Sequence, residues 1–211
     1  MRARSVRSFS YPIDPLNNLV CGCDEAGRGP LMGNVVAGCV VLRANDRIEG
    51  LDDSKRLSEK RRDELAAEIK KRALCYGIGQ CTPEEIDRLN ILNASMLAMK
   101  RAYEAMGREC DLMLVDGNRI PGGLKLLCQA VVGGDALVPE ISAASILAKT
   151  ERDRQMYELD KKYPEYGFAR HKGYPTAAHL EALQSLPVLP CYRRSYGPVR
   201  KILISRGLAT D

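Results

Sequence analysis

The stretch LVCGCDEAGRGPL, residues 19–31, decides the reading of this chain. Its first part, LVCGCD at 19–24, is apolar, partly β-branched and interrupted by a single glycine, which is the pattern of a strand. Alternation puts Cys21 and Cys23 on one face of that strand. The strand delivers an acidic pair, Asp24-Glu25, into the turn Ala26-Gly27-Arg28-Gly29-Pro30. Working outward, NVVAGCVVL at 34–42 is a second strand of the same kind. Residues 58–74 read as a helix: Ser58 caps it, Glu59 complements its dipole, and Leu65, Ile69 and Ala73 stack at spacing four. A strand is expected at 74–80. Thr82-Pro83-Glu84-Glu85 then opens a helix with a capping box and a proline in the first turn, running to about Met106. DLMLV at 111–115 is a short strand ending at Asp116-Gly117, and 126–132 is another. A helix over 142–162 stops before Pro164, Thr176 caps one more at 177–186, and the Pro/Arg-rich run 187–200 reads as irregular.

Strands come first and helices then interleave with strands, so the order predicts an α/β or mixed-sheet domain followed by a helical C-terminal piece. No repeat or low-complexity tract interrupts it. At 211 residues, with 45% hydrophobic and 28% charged residues, the chain can bury a core and solvate its surface. The expected organisation is a basic, disordered extension at 1–16, a core at 17–163, and a C-terminal helical segment at 164–211 packed on that core as one structural domain. The longest uncharged run, 29–42, is too short and too glycine-broken to span a membrane. MRARSVRSFSYP lacks the apolar centre of a secretory signal. The eight cysteines contain no C-x-x-C pair and the only histidines are His171 and His179, which speaks against zinc and a disulfide framework. The expectation is small buried hydrophobes in a reducing compartment, the cytoplasm. A net charge of +5 permits a polyanionic partner without requiring one.

Three places put a carboxylate at a strand end: Asp24-Glu25, Asp116-Gly117, and Asp135 after Gly133-Gly134. Ligands of α/β sheets gather there. Converging carboxylates repel and persist only around a cation. Oxygen donors without thiolate or imidazole suit Mg²⁺ or Mn²⁺, and two such ions about 4 Å apart can clamp both oxygens of a phosphodiester displacement. Any one of these acids alone fits a turn or cap equally well; the case rests on all of them lying at strand ends. The Gly27-Arg28-Gly29 loop lets the backbone approach a ligand, with Arg28 available to a phosphate.

The run Cys23-Asp24-Glu25-Ala26-Gly27-Arg28-Gly29-Pro30-Leu31 resembles the first motif of the type 2 ribonuclease H family, the bacterial ribonuclease HII group. Further matches follow in the family's order: Asp52-Asp53-Ser54-Lys55-Arg56-Leu57-Ser58, Val115-Asp116-Gly117-Asn118, Gly134-Asp135, the run ISAASILAK at 141–149, Arg152-Asp153-Arg154, and His171-Lys172-Gly173-Tyr174-Pro175-Thr176. The resemblance implies a ribonuclease H-like mixed β-sheet flanked by helices, with a C-terminal helical segment. It implies a metal-dependent (Mn²⁺ or Mg²⁺) endonuclease acting on the RNA strand of RNA–DNA hybrids. The same enzyme would nick 5′ to single ribonucleotides in duplex DNA, leaving 3′-hydroxyl and 5′-phosphate ends. By motif match, Asp24, Glu25, Asp116 and Asp135 are the metal-binding catalytic carboxylates. Gly27, Arg28 and Gly29 match the loop that senses the 2′-hydroxyl, and Tyr174 the tyrosine that packs on the following sugar.

Type 3 relatives carry a different loop and a large N-terminal domain, whereas about eighteen residues precede the first strand here. The tail KILISRGLATD lacks the paired aromatics of a sliding-clamp peptide. Asn34 stands where the family often has proline. Cys21 and Cys23 beside Asp24 raise the expectation that thiol modification perturbs the site. Lys55 and Lys172, with Arg193 and Arg194, are read as phosphate contacts. Ser142, Ser145 and Lys149 share a helix face and either touch substrate or brace the carboxylates. Asp153 reads as the i, i+4 ion partner of Lys149, and the match gives His171 no general-acid role. The chain is expected to act as a monomer. The rival readings are a catalytically silent hybrid-binding protein and another nuclease on the same fold.

Overall fold

β1 (Val20–Ala26), the strand that carries Asp24 and Glu25, is the middle of a five-stranded sheet in the computed structural model, which describes residues 9–209. On one side β1 pairs antiparallel with β2 (Val35–Val41), and β2 pairs antiparallel with β3 (Cys75–Cys81). On the other side β1 pairs parallel with β4 (Leu112–Asp116), and β4 parallel with β5 (Leu127–Val131). The order β3-β2-β1-β4-β5 is a mixed sheet flanked by helices, the expected α/β class.

Alternation along the strands sorts the two faces. One face carries Cys21, Cys23, Cys39, Cys81, Met113 and Val115, packed on Ala94, Ala98, Met99 and Ala102 of α3 (Ile91–Ala105). The other face receives α4 (Pro139–Lys162) and α1 (Glu59–Arg72), through Val40, Leu65, Ile69, Ile146 and Leu147. Each such fully buried side chain contributes roughly 1.5–3 kcal/mol of apolar burial. α4 crosses unusually close to the sheet. A Cβ on Gly22 would overlap the backbone of Glu140 and Ile141, and one on Gly38 the backbone of Ala144. That proximity sets Ser142 and Ser145 of α4 beside the acidic end of β1.

The helix expected from residue 82 to about 106 is two helices, α2 (Pro83–Leu89) and α3, broken at Asn90 with φ +65°. Asn tolerates this left-handed conformation, and its side chain caps α3 by accepting from the Asn93 N–H. α4 begins at Pro139, three residues earlier than expected, with proline in the first turn. The short α5 (Phe168–His171) and α6 (Ala177–Ser185) follow. At the end of the run read as irregular over 187–200, α7 (Gly197–Ser205) begins and continues beyond it. Tyr166, Phe168, Leu183, Tyr192, Val199 and Leu203 build a small C-terminal core that closes on Met32 and on Met156 of α4.

The extension expected to be disordered over 1–16 is held against the core from Phe9 onward. Phe9, Tyr11 and Ile13 pack on the Val20–Leu112–Ile141 cluster, and the Tyr11 hydroxyl donates to Glu140 at 2.7 Å. Apolar burial of three side chains offsets the ordering cost of that segment. Residues 1–8 lie outside the described residues.

Candidate active site

Strand register brings the acids together. Cys23 pairs with Val115, so Asp24 and Asp116 follow at one level on adjacent parallel strands. Asp116 pairs with Val131, and the chain beyond β5 turns back through Gly133, at φ +68°, into a 3-10 turn at Gly134–Ala136 that carries Asp135. The Asp135 N–H donates to Asp116 Oδ1 at 3.4 Å. Carboxylate oxygens of Asp24, Asp116 and Asp135 all lie within 4.8 Å of one another. Glu25, one residue along the strand, stands outside this group and receives Arg28 Nη1 at 3.3 Å.

The electrostatics show a centre short of positive charge. Burial, reinforced by Glu25 and Asp116, holds the Asp24 carboxyl well above the ordinary carboxylate range. Burial and the charges of Asp116 and Asp53 push Asp135 up, against the pull of Lys55. Lys55 Nζ stands 3.9 Å from Asp135 Oδ2. An all-oxygen donor set under mutual repulsion fits a hard divalent cation held by Asp24, Asp116 and Asp135. The α4 serines brace it. Ser142 Oγ donates to the Asp135 carbonyl at 2.6 Å, and Ser145 Oγ, near the Asp24 carboxyl, meets Ser54 Oγ at 2.9 Å. Asp153 is the ion partner of Lys149 at 2.7 Å, and also of Arg62 at 3.7 Å.

The loop leaving β1 closes this centre. Gly27 has φ +100°, a conformation glycine adopts without strain, and a Cβ there would strike the Arg152 guanidinium. A Cβ on Gly29 would touch Tyr174 Cε1 at 3.4 Å, so the Tyr174 ring, 42% exposed, lies against the loop. Two segments nearly 150 positions apart in sequence thus form one surface next to the carboxylates.

A family model described as Ribonuclease HII matches residues 21–198. The chain belongs to the ribonuclease HII family. A ribonuclease HII of Vibrio campbellii is 55% identical over 195 residues, covering 92% of this chain and 91% of that one. Among solved structures, the ribonuclease H2 of Pyrococcus horikoshii OT3 superposes with a TM-score of 0.76 at 30% identity, over 88% of this chain and 97% of that one. The Archaeoglobus fulgidus chain from a PCNA:RNase HII complex gives 0.65 at 27% identity, over 87% and 96%. As a ribonuclease HII family member, the chain is a hydrolase of phosphodiester bonds with ribonuclease H activity on RNA–DNA substrates. Among the described residues, no helix is long and apolar enough to cross a membrane.

Several residues read from the sequence sit differently in this ribonuclease HII family member. Lys172 is tied down rather than open to a phosphate: its ammonium donates to the Ala169 carbonyl at 2.7 Å and lies 3.7 Å from the centre of the Tyr157 ring. Arg193 is fully buried and binds carbonyls of the Gly27–Gly33 turn, so it is not a phosphate contact either. Arg194 and Ser195 dock through their backbone N–H groups on Asp87, both at 2.9 Å. His171 is buried, its Nε2–H donates to the Tyr166 carbonyl and its Nδ1 accepts from the Gly173 N–H, so both ring nitrogens are committed within the fold. Cys21 and Cys23 face α3, away from Asp24, and burial pushes the Cys23 thiol up, so modification at the site finds no accessible thiolate. Asn34 ties the turn across to Gln80 at 3.0 Å and Gln155 at 3.2 Å. Sequence reading missed the loop-holding roles of Arg152 and Tyr196. The motif Arg152-Asp153-Arg154 was visible, but nothing in it marked Arg152 as 1% exposed.

Proposed function

We propose that this chain nicks duplex DNA on the 5′ side of a single embedded ribonucleotide and cleaves the RNA strand of hybrids by metal-ion-assisted hydrolysis. The observation that carries the reading is the surface made by Gly29 and Tyr174 against the Asp24–Asp116–Asp135 centre. Only RNA has a 2′-hydroxyl, and a glycine-flanked turn lets backbone groups come within hydrogen-bond reach of it. Tyr174 supplies a flat face for the next sugar. Arg28, half-exposed and paired with Glu25, is placed to exchange that partner for a phosphate. Lys55, 78% exposed at its side chain, can do the same from Asp135.

Asp24, Asp116 and Asp135, with Glu25 at the rim, would hold Mg²⁺ or Mn²⁺, two ions in this reading. Bound there, they would supply an activated water and neutralise charge on the leaving oxygen. The carboxylates fix where that charge sits, and Ser142 anchors the backbone of Asp135 to α4. In this reading water is the nucleophile and the 3′-oxygen is the leaving group, so the products would carry 3′-hydroxyl and 5′-phosphate ends. Carboxylates, loop and Tyr174 all come from one chain, which supports action as a monomer. Eight free cysteines fit a reducing compartment, and we place the enzyme in the cytoplasm.

The test is a nicking assay with Mg²⁺ and with Mn²⁺ on duplex DNA carrying one ribonucleotide. Asp24→Asn and Asp116→Asn should each lower the rate at least roughly a hundredfold, the effect of losing an electrostatic contact worth about 3 kcal/mol at the transition state. Wild-type protein that leaves this substrate intact, or nicking indifferent to both substitutions, overturns the reading.

A further inference from the structure

Two buried arginines flank the Gly27–Gly33 turn, and neither forms an ion pair among the described residues. Arg193, with no exposed surface, spends its guanidinium on backbone oxygens. Its Nη2 donates to Gly27 O at 2.6 Å, its Nη1 to Pro30 O at 2.8 Å and Arg28 O at 3.1 Å, and its Nε to Gly33 O at 3.0 Å. Tyr196 completes the set, donating its hydroxyl to Arg28 O at 2.7 Å and accepting from Arg193 Nη1 at 3.0 Å. The backbone joins in: Arg193 N–H donates to Leu31 O at 2.9 Å. Arg152 approaches from α4, donating to Lys172 O at 2.9 Å and Met32 O at 3.4 Å, with its Nε against Gly27 and without an acceptor.

Burying a guanidinium is costly unless its N–H groups are matched. Here the carbonyls of one tight turn do the matching. The planar fork dictates where each oxygen sits, because its donors are fixed relative to one another. Carbonyls committed inward are not available to substrate. The N–H groups of Arg28 and Gly29, by contrast, donate to no protein acceptor among the described residues. A turn held this way presents donors outward in one geometry.

We propose that Arg193, seconded by Tyr196, is a positioning residue. Its guanidinium fixes the carbonyls of Gly27, Arg28, Pro30 and Gly33, aims the free N–H groups of Arg28 and Gly29 at the ribose, and thereby sets selectivity for a ribonucleotide. This rests on the reading that the loop meets the 2′-hydroxyl. It assigns the C-terminal segment a purpose beyond added binding surface: that segment carries the clamp.

The experiment compares wild type with Arg193→Lys, Arg193→Gln and Tyr196→Phe in Mg²⁺. The substrates are duplex DNA with one ribonucleotide and the same duplex with one 2′-fluoro nucleotide. Amide NMR signals of Gly27 and Gly29 are recorded without substrate. Misplacing a recognition element by about 1 Å costs up to roughly a hundredfold, so the Arg193 variants should lose at least about tenfold in kcat with KM within about threefold. Their ribo-over-fluoro rate ratio should fall about tenfold, and that of Tyr196→Phe about threefold. The Gly27 and Gly29 signals should shift or broaden in the Arg193 variants. Folded variants that keep the ratio and the loop signals, or that slow both substrates equally, overturn the proposal. Should the Arg193 variants fail to fold, Tyr196→Phe decides it by the same ratio. Wild type with no preference for the ribonucleotide defeats the functional reading instead, and the loop signals then still report whether Arg193 holds the turn.

Discussion

His171 and His179 stack with ring centres 4.0 Å apart and 13° between planes. Their hydrogen bonds leave each ring neutral. His171 Nδ1 accepts from Gly173 N–H at 3.1 Å, so its Nε2 carries the proton and donates to Tyr166 O at 2.8 Å. His179 Nδ1 donates to Tyr174 O at 2.9 Å, and its Nε2 accepts from the Tyr192 hydroxyl at 2.8 Å. Burial, with His171 alongside, pushes His179 down to about 4. The unfolded chain takes up a proton below about 6.5, and the folded one refuses it until about 4. The contribution of His179 is therefore whole above about pH 6.5 and is lost as pH falls toward 4, by roughly 3 kcal/mol. The buried carboxylates titrate with the opposite sign, so the quantity to measure is the difference in melting temperature between wild type and His179→Gln from pH 7.5 to 4.5. The gap should narrow as the pH falls; a constant gap would show that His179 is not held neutral. The sequence showed that these histidines exist, as it showed Lys172 and Arg193. It could not show which way they point, because burial and partner are decided by segments far apart in the chain.

Asn90 illustrates where local signals end. Thr82 and Glu85 form the capping box that their spacing announces, Ser58 caps α1 and Thr176 caps α6, since all of these are contacts within one turn. The break at Asn90 was hidden because apolar periodicity runs on through Ile91, Met96 and Met99, and one residue both ends α2 and caps α3. Asn90→Ala removes the cap while keeping a Cβ on backbone with positive φ, whereas Asn90→Gly removes the cap and the Cβ together. Asn90→Ala should cost about 2 kcal/mol, and Asn90→Gly less than about 1 kcal/mol. Urea unfolding of the three proteins reads this directly, and equal midpoints for Ala and Asn would remove the argument. The early start of α4 at Pro139 and the presence of α7 escaped for a related reason: prolines that read as breakers sit in first turns, where they fit. Strand order was equally out of reach of local pattern. The pairing of β1 with β4, which joins Asp24 to Asp116, is set by packing across the sheet.

In the whole molecule, the +5 charge resolves into separate regions: three acids drawn to one point, and basic groups divided between surface and interior. Arg152 and Arg193 belong to the interior, as do Asp24, Asp135 and Asp153, so buried charges of both signs stand behind the net number. The site is assembled from the end of β1, the end of β4, the turn before α4 and the segment around Tyr174. The carboxylates were legible because each lies near or just beyond the end of a strand, and the motifs named the loop and Tyr174. The carbonyl clamp that binds these pieces together was not legible, because it exists only once the C-terminal segment folds back. In the proposed reaction water, not the 2′-hydroxyl, attacks at a ribonucleotide that the loop has recognised. Mapping the ends produced from duplex DNA with one ribonucleotide in Mg²⁺ tests it most directly. We expect a single nick 5′ to the ribonucleotide, with a 3′-hydroxyl on one side and a 5′-phosphate on the other, and no cut in the all-DNA duplex. A nick 3′ to the ribonucleotide ending in a 2′,3′-cyclic phosphate, or equal cutting of the all-DNA duplex, would contradict it.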